Sequence, residues 1–173
     1  MSRSAFDVIL DYRPQVFHDL HESASYLYAS TGTGPYNPFI DPIQIDEWHI
    51  LAYAEINELT RQGVPGVYTH GYWDGWGIAG LNNVANVHNA IGRFYEVQGA
   101  RDASNYIVTG SAARSWYQPN PPLREAVFSI RNHVNLSQSG VLGPPMLFPS
   151  QSSALWRSLY RLNVAALGCT VRA

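Results

Sequence analysis

The chain reads as an α/β domain, helices layered against a sheet, on three observations. Amphipathic helical patterns alternate with short apolar, strand-like runs through its first hundred residues. One helix, opening at Asp41-Pro42, is marked at both ends. A hydrophobic content of 46% over 173 residues suffices for one domain with a sizeable core.

Charge and cysteine usage exclude several classes of function. Thirteen acidic and eleven basic side chains give a net charge of −2, and every basic residue is arginine. With no run of basic residues, neither a nucleic-acid nor a membrane surface is expected. Cys169 alone forms neither an internal disulfide nor a cysteine-based zinc cluster. No segment approaches the roughly 20 apolar residues of a membrane span, and the N-terminus lacks a signal-peptide apolar core. Localisation stays open.

The elements follow in order. Ala5 to Tyr12 forms a short amphipathic helix stopped before Pro14, and Gln15 to His21 reads as a strand. On that strand Val16, His18 and Leu20 share one face, and Phe17, Asp19 and His21 the other. Residues 23–40, rich in Ser, Thr, Gly, Pro and Tyr, read as a long ordered loop or lid. It is no phosphate loop, because no Gly-Lys-Ser/Thr follows its glycines. Asp41 caps the clearest helix, Pro42 takes its first position, and Gly63 ends it. Its apolar face is Ile45, Trp48, Ala52, Ile56 and Leu59, which leaves Glu47, Glu55 and Glu58 solvated and His49 structural.

Val64 to Thr69 reads as a strand, followed by the aromatic loop Gly71-Tyr72-Trp73-Asp74-Gly75-Trp76-Gly77, which either binds sugars or peptides or caps a core. Residues 81–90 suit a short helix, Ala90 to Val97 a strand, and Val127 to Gln138 a helix beyond a proline-rich connection.

The run Phe17-His18-Asp19-Leu20-His21-Glu22-Ser23 concentrates the chemistry, since its side chains can bind zinc, relay protons or only hydrogen-bond. It is not a zincin motif: His21-Glu22 has no second histidine one turn on. On a strand, His18 and His21 point to opposite faces. At the strand's C-terminal end His21 stands where ligands collect in open α/β sheets.

Several phrases resemble the C-terminal half of bacterial zinc carboxypeptidases, relatives of the carboxypeptidase A fold. They are Asp19-Leu20-His21-Glu22-Ser23, Ser30-Thr31-Gly32-Thr33-Gly34-Pro35-Tyr36, Arg61-Gln62-Gly63-Val64-Pro65-Gly66-Val67, His70-Gly71-Tyr72-Trp73-Asp74-Gly75-Trp76 and Asn89-Ala90-Ile91-Gly92-Arg93-Phe94-Tyr95-Glu96. The resemblance implies a three-layer sandwich with a mixed sheet. Residues 1–142 would be the C-terminal portion of its catalytic domain, and 143–173 a divergent tail with a possible short terminal helix. It implies one zinc ion as cofactor, with His21 as a zinc ligand in an Asp-x-His setting and Asp19 orienting it; His18 is the weaker candidate. Glu96 would be the general base, and Tyr72, or else Tyr68, the tyrosine that contacts substrate.

The implied reaction is peptide-bond hydrolysis at the C-terminus of a peptide or protein substrate. The family's other zinc ligands come from a His-x-x-Glu pair, and none of the six histidines here begins one. A truncated form, with weak or absent zinc binding and little activity of its own, is therefore expected. A sheet cut through its middle would also be marginally stable and prone to self-association through an exposed edge. The alternative is a non-catalytic peptide- or glycan-binding module using Trp73 and Trp76. Relatives are often exported, which does not place this chain.

Overall fold

The computed structural model describes residues 3–23, 26–71, 73–100, 102–109 and 125–142, with 157, 160, 161 and 164. The divergent tail thus lies almost wholly outside the described residues.

Helix α1 (Arg3–Tyr12) leads into strand β1 (Val16–Ser23), then β2 (Leu27–Ala29), helix α2 (Pro42–Arg61), β3 (Val67–Tyr68), α3 (Leu81–Val87) and β4 (Ile91–Gln98). Strands β5 (Tyr106–Thr109) and β6 (Glu125–Phe128) form a separate antiparallel pair, and residues 130–142 form a further helix, α4. The main sheet runs β1-β4-β2-β3 and is mixed: β1 is parallel to β4, β4 antiparallel to β2, and β2 parallel to β3. This is an α/β fold.

Helices cover both faces of the sheet. On one, Ala52, Ile56 and Leu59 of α2 bury against Leu27, Ala29, Val67, Tyr95 and Val97, with Leu136 and Val141 of α4 alongside. On the other, Ile9 of α1 and Val84 and Ala85 of α3 pack with Phe17. α3 approaches β4 so closely that a Cβ on Gly92 would collide with the Asn82 carbonyl, so only glycine fits there. Buried polar groups tie these layers: Gln44 Nε2 donates to the Asn86 and Ala90 carbonyls at 2.7 and 2.8 Å, and Asn86 Oδ1 accepts from Gly92 N–H.

Helix α2 starts as the sequence predicts, with Asp41 Oδ1 accepting the Ile43 N–H at 2.8 Å. Its buried face is wider than the apolar stripe. Glu47 is 5% exposed and Glu55 0%, so neither is solvated as expected. Glu55 follows Trp48 by seven positions and Ala52 by three, which places it on the inward face whatever its charge.

Other differences have local causes. The strand expected over 64–69 shrinks to Val67–Tyr68, because Pro65 has no N–H to give a ladder and Gly66 takes a φ of 75°. α3 stops at Val87, and Asn89 at φ 64° turns the chain into β4. β2 lies inside the stretch read as loop; its three residues are all buried, so the alternation that marks a half-exposed strand is missing. β6 begins the segment read as helical from Val127, since Ala126 and Phe128 turn inward against β5 and α4 starts only after Ser129.

Candidate functional site

The register of β1 against β4 builds the site. Asp19 stands opposite Phe94 and His21 opposite Glu96. Residues paired in a parallel ladder share a face, so the pleat sends all four side chains to one side. His21 Nε2 lies 3.0 Å from Asp19 Oδ2, and its Nδ1 lies 3.9 Å from Glu96 Oε1. The imidazole therefore has a carboxylate at each nitrogen, and its ring sits 5.7 Å from that of Phe94.

Glu96 is the more enclosed of the two acids, with its side chain 15% exposed. Burial pushes its pKa up, the His21 imidazole pulls it back and the Asp19 carboxylate pushes it further up. Its Oε2 is buried without a hydrogen-bond partner among the described residues. A carboxylate in this state takes a proton more readily than one in water. Asp19 Oδ2 stands at the Nε2 side of the ring and leaves Nδ1 facing Glu96.

As a zinc site the constellation is partial. Asp19 engages Nε2, so Nδ1 is the one His21 nitrogen left for a metal. Among the described residues no group of three or more His, Cys, Asp and Glu is placed to hold a metal ion. The donors fit one protein contact to zinc, with an acid beside it, and not a complete coordination sphere.

His18 faces the opposite side and joins a buried network that the sequence reading did not anticipate. Its Nδ1 and the Tyr95 hydroxyl lie 3.0 Å apart, the rings are stacked at 5.6 Å, and Tyr95 donates to Glu55 Oε1 at 2.7 Å. Glu55 in turn accepts hydrogen bonds from Nη1 and Nη2 of Arg93, at 2.5 and 2.8 Å. Arg93 and Glu55 are both 0% exposed. Burial and the neighbouring Arg93 charge lower the His18 pKa to about 4, so the ring is neutral. Arg93 and Glu96 stand three positions apart on β4, so the pleat sends them to opposite faces. The available signal was an arginine flanked by Ile91, Phe94 and Tyr95 in β4, which demands an acid on the covering helix.

The aromatic loop divides. Trp73 packs at 4.8 Å from Trp48 and 5.4 Å from Phe94 and closes the core. Trp76 is 54% exposed and donates from Nε1 to the Pro35 carbonyl at 3.1 Å. The loop over 30–40 is ordered against it: Thr33 N–H donates to the Trp73 carbonyl and Asn37 N–H to that of Asp74. Tyr72 lies outside the described residues. Tyr68 is 8% exposed and packs on Tyr28 at 5.3 Å, which makes it a core residue rather than a substrate contact.

His49 and His70 also meet, ring to ring at 5.5 Å, and the Tyr53 hydroxyl lies 2.8 Å from His70 Nε2. His49 Nδ1 is bound to the Ile45 carbonyl within α2 at 2.7 Å, in keeping with a structural role.

No helix among the described residues is long and apolar enough to cross a membrane. Compared with known proteins, the chain matches no family model, no curated protein and no solved structure.

Proposed function

We propose that the chain is part of a zinc metallocarboxypeptidase-like domain that supplies one zinc ligand and the general base for peptide-bond hydrolysis at a substrate's C-terminus. The observation that carries this reading is the pairing of His21 with Glu96 across β1 and β4, with Asp19 on the imidazole's other nitrogen. These are the residues that the family resemblance singles out for ligand, base and orienting acid. Glu96 lies far from Asp19 and His21 in sequence yet shares one face of the sheet with them.

Each residue has a distinct task. Asp19 holds the ring and so presents Nδ1; His21 offers that nitrogen to the metal; Glu96, its pKa raised by burial, accepts a proton beside it. Zinc, when bound, polarises the scissile carbonyl and the attacking water. These residues alone hold too few ligands for turnover, so the remaining ones come from outside this sequence. Excess zinc is expected to raise the melting temperature of the chain and of Glu96→Gln but not of His21→Ala. An equal shift in all three would remove His21 from the metal site.

The binding-module alternative draws on Trp76, with 54% exposure and a loop held in place by the Pro35 contact. It predicts metal-independent affinity for a peptide or glycan that Trp76→Ala abolishes.

A further inference from the structure

Among the described residues β1 is an outer strand of the sheet, pairing only with β4. Its inner ladder shows which backbone groups remain outside. The Ile91 N–H donates to the Gln15 carbonyl and the Gly99 N–H to the Ser23 carbonyl, both at 2.9 Å. Backbone groups alternate sides along a strand, so the odd-numbered residues turn theirs to β4 while His18, Leu20 and Glu22 turn theirs outward. This edge is open: Leu20 is 51% exposed, and the Glu22 side chain 63%. No proline or lysine interrupts it.

We propose that this edge pairs antiparallel with the same edge of a second copy of the chain, Leu20 opposite the partner's Leu20, joining two sheets into one. A dyad normal to the sheet keeps each helical layer on its own side, so some residue of β1 must face itself. Centring on Asp19 would set two carboxylates against each other, and centring on His21 two imidazoles. Centring on Leu20 instead puts Asp19 opposite the partner's His21 and His18 opposite the partner's Glu22. Each acid–imidazole pair is repeated by symmetry. No two carboxylates and no two imidazoles face each other in this register.

Backbone geometry agrees with this register. Leu20 with its counterpart, and His18 with the partner's Glu22, are the pairs whose outward groups exchange N–H···O bonds. Asp19 and the partner's His21 form the closer, non-hydrogen-bonded pair between them. Apolar surface adds to the contact: Leu20 lines a groove with Val134, Val141 and Leu142 of α4, and Leu142 is 60% exposed. The dyad brings two such grooves together on one side of the joined sheet. It also sets the partner's Asp19 beside His21, adding a carboxylate to the candidate site. The pairing does not rest on the peptidase reading, since neither metal nor substrate enters it.

Sedimentation velocity of the chain across the micromolar range is expected to show a reversible dimer. Leu20→Glu, which sets two carboxylates face to face at the dyad on an exposed position, should weaken it about tenfold or more with an unchanged circular-dichroism spectrum. In a Cys169→Ser background, mild oxidation should cross-link Leu20→Cys, whose Cα atoms would lie about 5.5 Å apart, and leave Glu22→Cys without a cross-link. The Leu20→Cys result decides the matter even if Leu20→Glu folds poorly. A chain monomeric throughout, a dimer indifferent to Leu20→Glu, or equal cross-linking at both positions would overturn the proposal.

Discussion

His21 and Glu96 stand side by side on adjacent parallel strands, Nδ1 3.9 Å from Oε1, because β1 and β4 pair at those very positions. A shift of one residue in that register would send His21 to the face of Arg93 and Tyr95 and dissolve the cluster. The site thus depends on the packing that fixes the register: Phe17 against α1 and α3 on one face, and α2 against Tyr95 and Val97 on the other.

Asp19 acts on Glu96 through charge. Its carboxylate is one of the causes that raise the Glu96 pKa, after burial. Asp19→Asn is therefore expected to lower that pKa, read as the midpoint of the Glu96 side-chain carboxyl resonance in a carbon-13 titration. A midpoint that stays put or rises would show that the two acids do not sense each other.

His18 makes stability depend on pH. Its pKa falls from 6.5 to about 4 on folding, so below 6.5 the unfolded chain binds a proton that the folded chain refuses. The resulting stability is fully present above 6.5 and is lost as pH falls through about 4. Urea denaturation of the chain and of His18→Gln over this window should give a shallower decline for the variant; parallel declines would contradict the assignment.

The Glu55–Arg93 pair should behave as a buried ion pair whose partners cannot be removed singly. Glu55→Gln leaves the guanidinium uncompensated and is expected to cost about 3–5 kcal/mol. Glu55→Leu combined with Arg93→Met should cost less than the sum of the single changes. Additive losses in chemical denaturation would mean that the two groups are stabilised independently.

The two tryptophans of the aromatic loop should separate in the same assay. Trp73→Ala removes a ring packed on Trp48 and Phe94 and is expected to cost about 3 kcal/mol. Trp76→Ala removes one exposed ring and one hydrogen bond, for about 1 kcal/mol or less. Equal losses would place both in the core.

Much of this arrangement is legible in the sequence where a local rule decides the outcome. Asp41-Pro42 announces a helix start because capping involves neighbours only, and the period of β1 separates His18 from His21 without any knowledge of what lies beside them. What stayed hidden depends on partners distant in the chain. Leu27–Ala29 looks like loop because a fully buried strand shows no alternation, and its pairing with β4 and β3 is non-local. Glu55 looks solvated until Arg93, 38 positions away, is brought beneath it. The closeness of His21 and Glu96 belongs to the same class: residue types suggest it, and only the register creates it.

In the proposed site His21 offers Nδ1 to zinc while Asp19 stands at Nε2. Zinc titration followed by nitrogen-15 NMR of the histidine side chains tests it most directly. The His21 Nδ1 resonance is expected to move with added zinc, His49 and His70 to stay in place, and Asp19→Asn to weaken the response. Zinc-dependent shifts confined to His49 and His70, or a His21 ring indifferent to saturating zinc, would contradict it.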